Sequence, residues 1–503
     1  MERLKINNKK VSSTNSNKKI NPDNSLNKKK IDNNLKNSSS KNLIIFLASF
    51  ASFLTGFSAS VIAVALPSIG SDFAINAITQ NWLATSFLLS IAIFSLPFGT
   101  LSGKIGLKKF YVIGLILFII GSIFASISFS ADILIISRVI QGIAGAMLNV
   151  AGFAMITEAL GPHERGKAIG IAVASAYVGL TLAPVLGGIL TKNLGWQSIF
   201  YIVIPIILIT VIVIFFKIKE EWVIGKNDPF DYLGSIIYSF GILLFMYGFT
   251  ILNELTGILL AAIGLGLLIG FGIWELKHKF PVFHVEAFKN IEFTSSTIAS
   301  LINYLATFVV TYILNYHFQY IENMDPQTSG IILIVAPALM GIIAPFSGTL
   351  SDKINPEKLS AIGMALVAVS IFILIFLNKD TPLFIIILSM VIQGIGYGLF
   401  LSPNTNTIMN SAPKEYPSLA SATISTVRVV GQTMSLGILT VVFAVVIGSV
   451  PIIPQYYPLL IQSSQIVCII STILCLIAII VSIIGSKIKI KTWKFFFYRH
   501  SFY

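Results

Sequence analysis

Charged residues are scarce in this chain of 503 residues, and that scarcity excludes most kinds of protein. They make up 11% of the sequence, whereas a soluble domain carries about a quarter, and 55% of the residues are hydrophobic. Most of such a surface cannot face water. The alternation of polar and apolar residues that marks a membrane β-barrel is also absent, so we predict an all-α membrane protein.

Long apolar runs replace the missing charges. A helix needs about 20 residues, at about 1.5 Å each, to cross a hydrocarbon core of about 30 Å. The sequence predicts fourteen transmembrane helices, at residues 43–66, 80–101, 110–129, 133–157, 168–190, 198–216, 231–251, 257–274, 294–315, 329–350, 359–377, 382–404, 419–447 and 462–485.

Cysteine is nearly absent, since the chain has only Cys468 and Cys475, both in the last predicted span. Seven residues of helix separate them by about 10 Å, which is too far for a disulfide bond. We predict that both are packing residues.

The net charge of +13 comes mainly from basic residues outside the spans. Of the 34 Lys and Arg, 11 precede residue 42 and five follow residue 486, whereas only Lys192 and Lys379 fall in loops of the other side. This bias predicts a multi-pass plasma-membrane protein with both termini in the cytoplasm. Residues 1–42 and 487–503 are predicted basic cytoplasmic tails, the first disordered. The predicted partner of the protein is the lipid bilayer and not nucleic acid, and the first tail is either simply solvated or in contact with anionic lipid.

Two segments recur within the chain. Gly99-Thr-Leu-Ser-Gly103-Lys104-Ile returns as Gly348-Thr-Leu-Ser-Asp352-Lys353-Ile, and Val139-Ile-Gln141-Gly142-Ile returns as Val391-Ile-Gln393-Gly394-Ile. Such repeats are typical of transporters with a binding site at the midplane. They predict two six-helix halves, residues 43–217 and 281–486, which flank an inserted helix pair at residues 218–280.

Several motifs resemble those of a known family. They are the loop that starts at Gly99, the segments Arg138-Val-Ile-Gln141-Gly142 and Gly179-Leu-Thr-Leu-Ala183-Pro184-Val-Leu-Gly187-Gly188, and the segments that start at Val64, Gly195 and Pro281. Over roughly residues 43–485 the chain resembles the major facilitator superfamily, and within it the fourteen-helix drug:proton antiporters.

The resemblance implies a major-facilitator-type fold and multidrug efflux, that is, export of small lipophilic or cationic compounds by proton antiport with alternating access. It implies a monomer that handles a small-molecule substrate and protons, with no cofactor, no metal and no enzymatic activity. An exporter of an endogenous lipid or metabolite, without proton coupling, is the alternative. A non-transporting membrane sensor is a third hypothesis, which the lack of a signalling domain disfavours.

Two arginines fall inside predicted spans, Arg138 in the fourth and Arg428 in the thirteenth. A mid-helix arginine costs roughly 2.5–3.5 kcal/mol on insertion scales, so each should face protein or water. Asn149 shares a helical face with Arg138, and Gln432 shares one with Arg428. The predicted cavity and coupling residues are Arg138, Gln141, Asn149, Asn303, Arg428 and Gln432. The aromatic residues predicted as candidates for stacking on a flat substrate are Phe57, Trp82, Tyr177, Tyr304 and Tyr312.

The repeated loops are the predicted gates. Their residues are Gly99, Lys104, Gly106, Lys108, Asp352 and Lys353. The family's acid is replaced by Gly103 in the first copy and survives only as Asp352 in the second. We therefore expect a gate latch that depends on the C-terminal half. In span 5, the small residues Gly179, Gly187 and Gly188 and the missing donor of Pro184 predict a close-packed, bendable helix at the hinge between halves.

Two features disagree with proton antiport. The first-span acid of the family falls at Ser58 here, and acids near the membrane are confined to span edges. A proton carrier needs a titratable group reachable from both sides, and none is evident.

The segment Gly161–Ala168 resembles a phosphate loop, but it lacks the final Ser or Thr and a preceding strand, so ATP-driven transport is rejected.

Overall fold

The computed structural model describes residues 38–224, 230–252, 254–278, 285–351, 353–412 and 417–500. Within these residues, fourteen helices are long and apolar enough to cross a membrane, as the hydropathy predicted. Their bounds are α1 Ser38–Asp72, α2 Ala77–Ile105, α3 Leu107–Ser126, α4 Ala131–Ala159, α5 Pro162–Leu194, α6 Ser198–Lys217, α7 Tyr232–Thr250, α8 Leu255–Lys277, α9 Ile291–Tyr316, α10 Pro326–Ser351, α11 Pro356–Leu374, α12 Leu383–Ser411, α13 Pro417–Val446 and α14 Tyr457–His500.

Three helices depart from a regular α-helix. The helix α6 is interrupted at Ile202 and α10 at Ile334, while a π-helical turn, His317–Ile321, extends α9. Such irregular turns often occur where a helix bends or at a functional site.

Polar residues before the helices fix where several of them begin. The side chain of Asn76 accepts from the amide of Thr79 at 2.8 Å and starts α2. Asn290, Asp325 and Asn355 cap α9, α10 and α11 in the same way. These caps satisfy first-turn amides that have no partner within the helix.

Both predicted tails overlap helices. The last residues of the predicted tail 1–42 belong to α1, which begins at Ser38, and α14 continues through the predicted tail 487–503 as far as His500. Residues 1–37 and 501–503 lie outside the described residues, as does the predicted domain boundary between residues 280 and 281. The end of the bundle that holds Ser38 is called the tail end below, and the end that holds Asp72 the loop end.

The helices pack as two related halves. In the first, α1 packs against α4 and α5, and α4 against α2 and α3; in the second, α9 packs against α13 and α14, and α12 against α10 and α11. The halves meet mainly through two helix pairs, α2 with α13 and α5 with α10, and also where α9 contacts α1. The sequence repeat, which equates α2 with α10, makes these two pairs equivalent by symmetry. The inserted helix α7 packs against α2 and α13, and α8 packs against α7.

Candidate functional site

A row of hydrogen bonds joins the halves toward the loop end. Three side chains of α9 and its π-helical extension donate to backbone carbonyls of α1, and all three donors come from one face of α9. The bonds run from Tyr312 Oη to Ala59 at 3.1 Å, from Asn315 Nδ2 to Ala63 at 2.7 Å and from Gln319 Nε2 to Val64 at 2.9 Å. We call this row the α9–α1 seam.

The other loop-end contacts reinforce this closure. Asn81 of α2 is fully buried and donates to the carbonyl of Leu436 in α13 at 2.7 Å and to the hydroxyl of Thr440. Lys192 at the end of α5 forms an ion pair of 3.3 Å with Asp325, the N-cap of α10. Hydrogen bonds from Thr328, with a smaller contribution from Lys192, hold the pKa of Asp325 below its usual value.

The helices α5 and α10 touch closely only near the loop end. A methyl group added at Gly188 would overlap the carbonyl oxygen of Pro326, and one added at Gly330 would overlap that of Pro184. The segment of α10 before its interruption packs along α5, whereas the segment Val335–Ser351 makes little contact with it. The two halves therefore diverge from mid-depth toward the tail end along this pair of helices.

A cavity of about 100 Å³ lies between the halves at mid-depth. Tyr177 of α5 and Tyr304 of α9 meet across it, with their hydroxyl oxygens 2.7 Å apart. Residues of both halves line it, and they are Ser60, Tyr177, Leu180, Pro184, Tyr304, Thr307, Phe308, Thr311, Tyr312, Ala336, Pro337, Met340, Gln393, Gly394, Tyr397 and Gln432. This is the central cavity, and its lining combines aromatic rings with neutral polar groups.

A second, smaller cavity of about 20 Å³ adjoins the central one, and Leu180 and Gln432 line both. Arg428 and Asn149, both predicted site residues, lie in its wall. The guanidinium of Arg428 lies beside the hydroxyl of Tyr177. The structure thus brings Arg428, Gln432 and Asn149 together, as their predicted shared role requires.

A cleft of about 400 Å³ separates α5 from α10 on the outer surface of the bundle. Tyr177, Pro337 and Met340 line both this cleft and the central cavity. The remaining lining is apolar or small, as at Val178 and Gly341. The cleft therefore adjoins the central cavity from the side that a bilayer would cover.

Arg138 does not line either cavity. It is 1% exposed, and it donates from Nε to the carbonyl of Leu83 at 3.1 Å, from one terminal nitrogen to Gln141 at 2.9 Å and from the other to the carbonyl of Ser58 at 2.9 Å. Its guanidinium carbon also lies 4.2 Å from the centre of the Phe87 ring. Arg138 thus joins α1, α2 and α4 behind the cavity wall, and its role in coupling stays a prediction.

The other predicted polar residues divide between packing and the cavity wall. Gln141 donates to Ser122 at 2.9 Å and supports Arg138. Asn303 is fully buried against the sulfur of Met364 at 2.8 Å and lines neither cavity. Of the aromatic candidates, Tyr177, Tyr304 and Tyr312 line the central cavity, whereas Phe57 and Trp82 do not.

Gln393 and Tyr397 are among the cavity residues that were not predicted as candidates. A signal for the first was present, because Gln393 is the repeat counterpart of Gln141. Tyr397 lies four residues further along α12 and hence on the same helical face.

The first predicted gating loop is held by an acid that the sequence analysis did not single out. Glu221 accepts from the amide of Lys108 at 2.9 Å and from that of Lys109 at 3.2 Å, at the positive end of α3. The side chain of Lys108 donates to the carbonyl of Ile218 at 2.6 Å. Gly106 has a φ of 111°, which only glycine adopts without strain.

The rest of the predicted gating set is less enclosed. Lys104 lies over the ring of Phe230 at 5.7 Å. Gly99 has open space where a side chain would project, and Lys353 is exposed. Asp352, on which the predicted C-terminal latch depends, lies outside the described residues, so the latch stays a prediction.

The glycines of the span-5 motif serve two different contacts. Methyl groups at Gly179 and Gly187 would meet the carbonyl oxygen of Phe53 and the side chain of Val61, both in α1 of the same half. Only Gly188 faces the other half, at Pro326. The motif therefore packs α5 tightly onto α1 and also lets the halves approach at the loop end.

The family model described as Major Facilitator Superfamily matches residues 48–436 and 293–492. The chain belongs to the Major Facilitator Superfamily. This membership agrees with the two related halves and the cavity between them, and it makes the chain a membrane transporter that handles small molecules.

Curated relatives of this superfamily member differ in what they carry. The riboflavin transporter RibZ of Clostridioides difficile (strain 630) is 29% identical over 390 residues, covering 77% of this chain and 85% of that protein. The multidrug resistance protein Stp of Mycobacterium tuberculosis (strain CDC 1551 / Oshkosh) is 26% identical over 404 residues, covering 78% and 74%.

Among solved structures, the bacterial homologue of the human lysosomal transporter Spinster, in its inward-facing and unoccupied conformation, has a TM-score of 0.61. It shares 16% identity and covers 89% of this chain and 97% of its own. At that identity the likeness concerns the superfamily fold alone.

Proposed function

We propose that this superfamily member exports flat aromatic small molecules by alternating access, with the central cavity as the binding site. The observation that carries the proposal is the cluster of tyrosines from both halves, Tyr177, Tyr304 and Tyr397, around a cavity between them. Aromatic rings bind flat ring systems by stacking. The names of the relatives, a riboflavin transporter and a multidrug resistance protein, support the same substrate class.

The proposed direction of transport rests on the distribution of Lys and Arg along the chain and on the closed loop end. The positive-inside rule puts the tail end in the cytoplasm of a cell whose plasma membrane the chain spans. The α9–α1 seam then closes the outer side, and the divergence of α5 and α10 leaves the site accessible from within. Export also fits the resemblance of the span-5 motif to that of antiporters.

The site gives little support to the proton antiport that the family resemblance implies. In the described chain, no carboxylate lines either cavity, and Asp231 and Glu275, both buried, stand at the tail-end termini of α7 and α8. We propose a cycle in which no carboxylate of the cavity carries a proton, which favours the alternative of a metabolite exporter over cation efflux by proton exchange.

Transport by the purified full-length protein in liposomes tests the proposal. Riboflavin and fluorescein serve as flat probes and glucose as a non-aromatic one. We expect at least one flat probe to be moved and glucose not to be, with Tyr304→Ala and Tyr397→Ala slowing transport at least about tenfold. Tyr201→Ala, at a residue 41% exposed on α6, is the control and should keep the wild-type rate.

Two results would contradict the proposal. Failure of the protein to move either flat probe would remove flat aromatic molecules as the substrate class. A rate that falls when nigericin collapses an imposed pH gradient would restore proton coupling.

A further inference from the structure

The wall beside the central cavity carries a positive charge that has no negative partner among the described residues. Arg428 is 9% exposed and lines the smaller cavity, with its guanidinium beside the hydroxyl of Tyr177. Within the described residues no carboxylate forms an ion pair with it. A buried charge is costly unless it is paired, so this arginine favours any ligand that supplies the missing negative charge.

A second buried charge adds to the same field. Arg138 lies behind the wall and is bound only by neutral acceptors, the carbonyls of Leu83 and Ser58 and the side chain of Gln141. Its charge interacts electrostatically with Tyr312, which lines the central cavity. Hydrogen bonds to neutral groups spread this charge without cancelling it, so both arginines contribute a positive potential at the cavity.

No acid of the described chain offsets them. The carboxylates that the structure describes stand in loops or in the first or last turns of helices. The other six acids of the sequence lie outside the described residues, at positions 2, 23, 32, 228, 352 and 415. All six fall outside the predicted spans, away from mid-depth. The field at the cavity is therefore positive.

The neutral lining suits an anion as well. Tyr177 and Tyr304 share one hydrogen bond, which leaves one of these two hydroxyls free to donate into the cavity. The hydroxyl of Tyr397 and the amide groups of Gln393 and Gln432 also line the cavity as possible donors. Donors beside a guanidinium form the usual environment of a bound carboxylate, sulfonate or phosphate ester. A cation would be repelled by the guanidinium of Arg428 and would find no acceptor of full negative charge in the described lining.

We propose that the substrate is an aromatic anion, whose negatively charged oxygen group lies against Arg428 while its ring lies among the tyrosines. This inference rests on the proposed function and names the charge of its substrate. It departs from the cationic compounds that the family resemblance includes among the expected substrates.

The charge of the substrate also supplies a driving force. An anion leaves a cell whose interior is negative, and each 100 mV favours the outside by about fiftyfold per charge. Export of an anion therefore requires neither a proton nor a carboxylate in the cavity. Transport is electrogenic and moves one negative charge outward for each singly charged substrate.

The test uses the full-length protein in liposomes with probe pairs that share a ring system and differ in charge. The pairs are fluorescein with rhodamine 123, and flavin mononucleotide with riboflavin. A potassium gradient with valinomycin sets the membrane potential. We expect the anion of each pair to leave faster than its partner and to accelerate when the interior is made negative.

Substitution of the arginine links the preference to the site. Arg428→Gln should weaken binding of the anionic probes at least about tenfold and abolish their advantage. Arg428→Lys keeps the charge and should keep the preference with weaker binding, which guards against a fold defect in the first variant. Lys379→Gln removes a positive charge from an exposed loop and is the control, expected to match wild type.

The outcomes separate the inference from the proposed function. Equal or faster movement of rhodamine 123 or riboflavin, unchanged by Arg428→Gln, would overturn the anion and leave export of flat aromatic molecules standing. Movement of none of the four probes would overturn both. Anion movement that ignores the membrane potential would overturn electrogenic export.

Discussion

The two buried arginines differ in what surrounds them. The Arg138 guanidinium forms three hydrogen bonds within the first half and lies against the ring of Phe87. The Arg428 guanidinium lies in a cavity wall beside the hydroxyl of Tyr177. The first is held by the fold, and the second is available to a ligand.

The same conservative change should therefore act differently at the two positions. Lysine keeps the charge but loses the planar fork, so Arg138→Lys gives up hydrogen bonds that a lysine cannot replace together. We expect Arg138→Lys to destabilise the protein by roughly 1–3 kcal/mol and to lower its unfolding temperature. Arg428→Lys should leave that temperature near the wild-type value.

Thermal unfolding of the two purified variants in one detergent checks this difference. Equal losses of stability would show that both arginines are structural. An unchanged Arg138→Lys protein would show that its hydrogen bonds contribute little.

Sequence patterns found the residues of the site better than their roles. The spacing of Arg138 and Asn149 predicted a shared face of α4, of which Asn149 lines a cavity and Arg138 does not. The pattern did not reveal that carbonyls of Leu83 and Ser58, from two other helices, would enclose Arg138. Backbone acceptors carry no signature in the sequence, because every residue has one.

At the scale of helices, the α9–α1 seam holds the loop end closed. Asn315 is central to it, since it donates to the carbonyl of Ala63 at 2.7 Å and accepts from Gln319 at 2.8 Å. Asn315→Leu removes both bonds without a large change in volume. If the closed state loses about 1 kcal/mol of stability in total, the population with an open loop end should rise roughly fivefold.

Spin-label distances between Ser71→Cys and Asn323→Cys, both at exposed loop-end positions, measure this population. The native Cys468 and Cys475 are buried and free, which fits their predicted packing role, and alanine is expected to replace them at small cost. Asn193→Leu is the control, because Asn193 bonds only to its own helix, at Ile189. The same distance distribution in both leucine variants would contradict the role given to the seam.

The glycines of α5 give a second prediction at this scale. Gly179→Ala places a methyl group on the carbonyl oxygen of Phe53 inside one half, so we expect a loss of stability of roughly 1–3 kcal/mol. Gly188→Ala instead overlaps Pro326 of the other half, and a rigid-body separation relieves that overlap. We expect Gly188→Ala to open the loop end and to keep the unfolding temperature.

Gly170→Ala is the control for both, since nothing lies within 4 Å of its added methyl group. The measurements are thermal unfolding and the loop-end distance. The assignment of Gly188 to a contact between halves fails if Gly188→Ala unfolds as readily as Gly179→Ala and keeps the closed distance.

At the scale of the whole molecule, the two equivalent helix pairs are covered differently. The helix α7 lies over the pair α2 and α13, where Tyr238 donates to the carbonyl of Ala92 at 2.9 Å and Phe249 lies against Gly437. The pair α5 and α10 has no such cover among the described residues, and the cleft lies there. The insertion thus breaks the symmetry of the two halves.

We expect lipophilic substrates to reach the central cavity through this cleft from the membrane. Gly341 is exposed in the cleft with open space for a side chain, so Gly341→Phe narrows the cleft without strain. Transport of a lipophilic probe into detergent-free liposomes should slow severalfold. Gly270→Phe, at an equally open position of α8, is the control, and equal rates in both would remove the cleft as the route.

The number of spans and the two halves were predictable, because hydropathy and the repeat of whole segments are read directly from the sequence without knowledge of contacts. The side on which the molecule opens was not. Both Pro184 and Gly188 were recognised, yet their partners Gly330 and Pro326 lie in α10, which carries no matching signal. Contacts between distant helices depend on shape, which hydropathy does not encode.

The two sides of the α9–α1 seam should differ in how well they tolerate substitution. A carbonyl oxygen is present whichever amino acid a codon specifies, so Ala59, Ala63 and Val64 accept their bonds by position and not by identity. Substitutions of similar size there should be silent. The donors on α9, in contrast, depend on their side chains. We therefore expect substitutions in the donors on α9 to weaken closure of the loop end and substitutions at the acceptors on α1 to leave it intact.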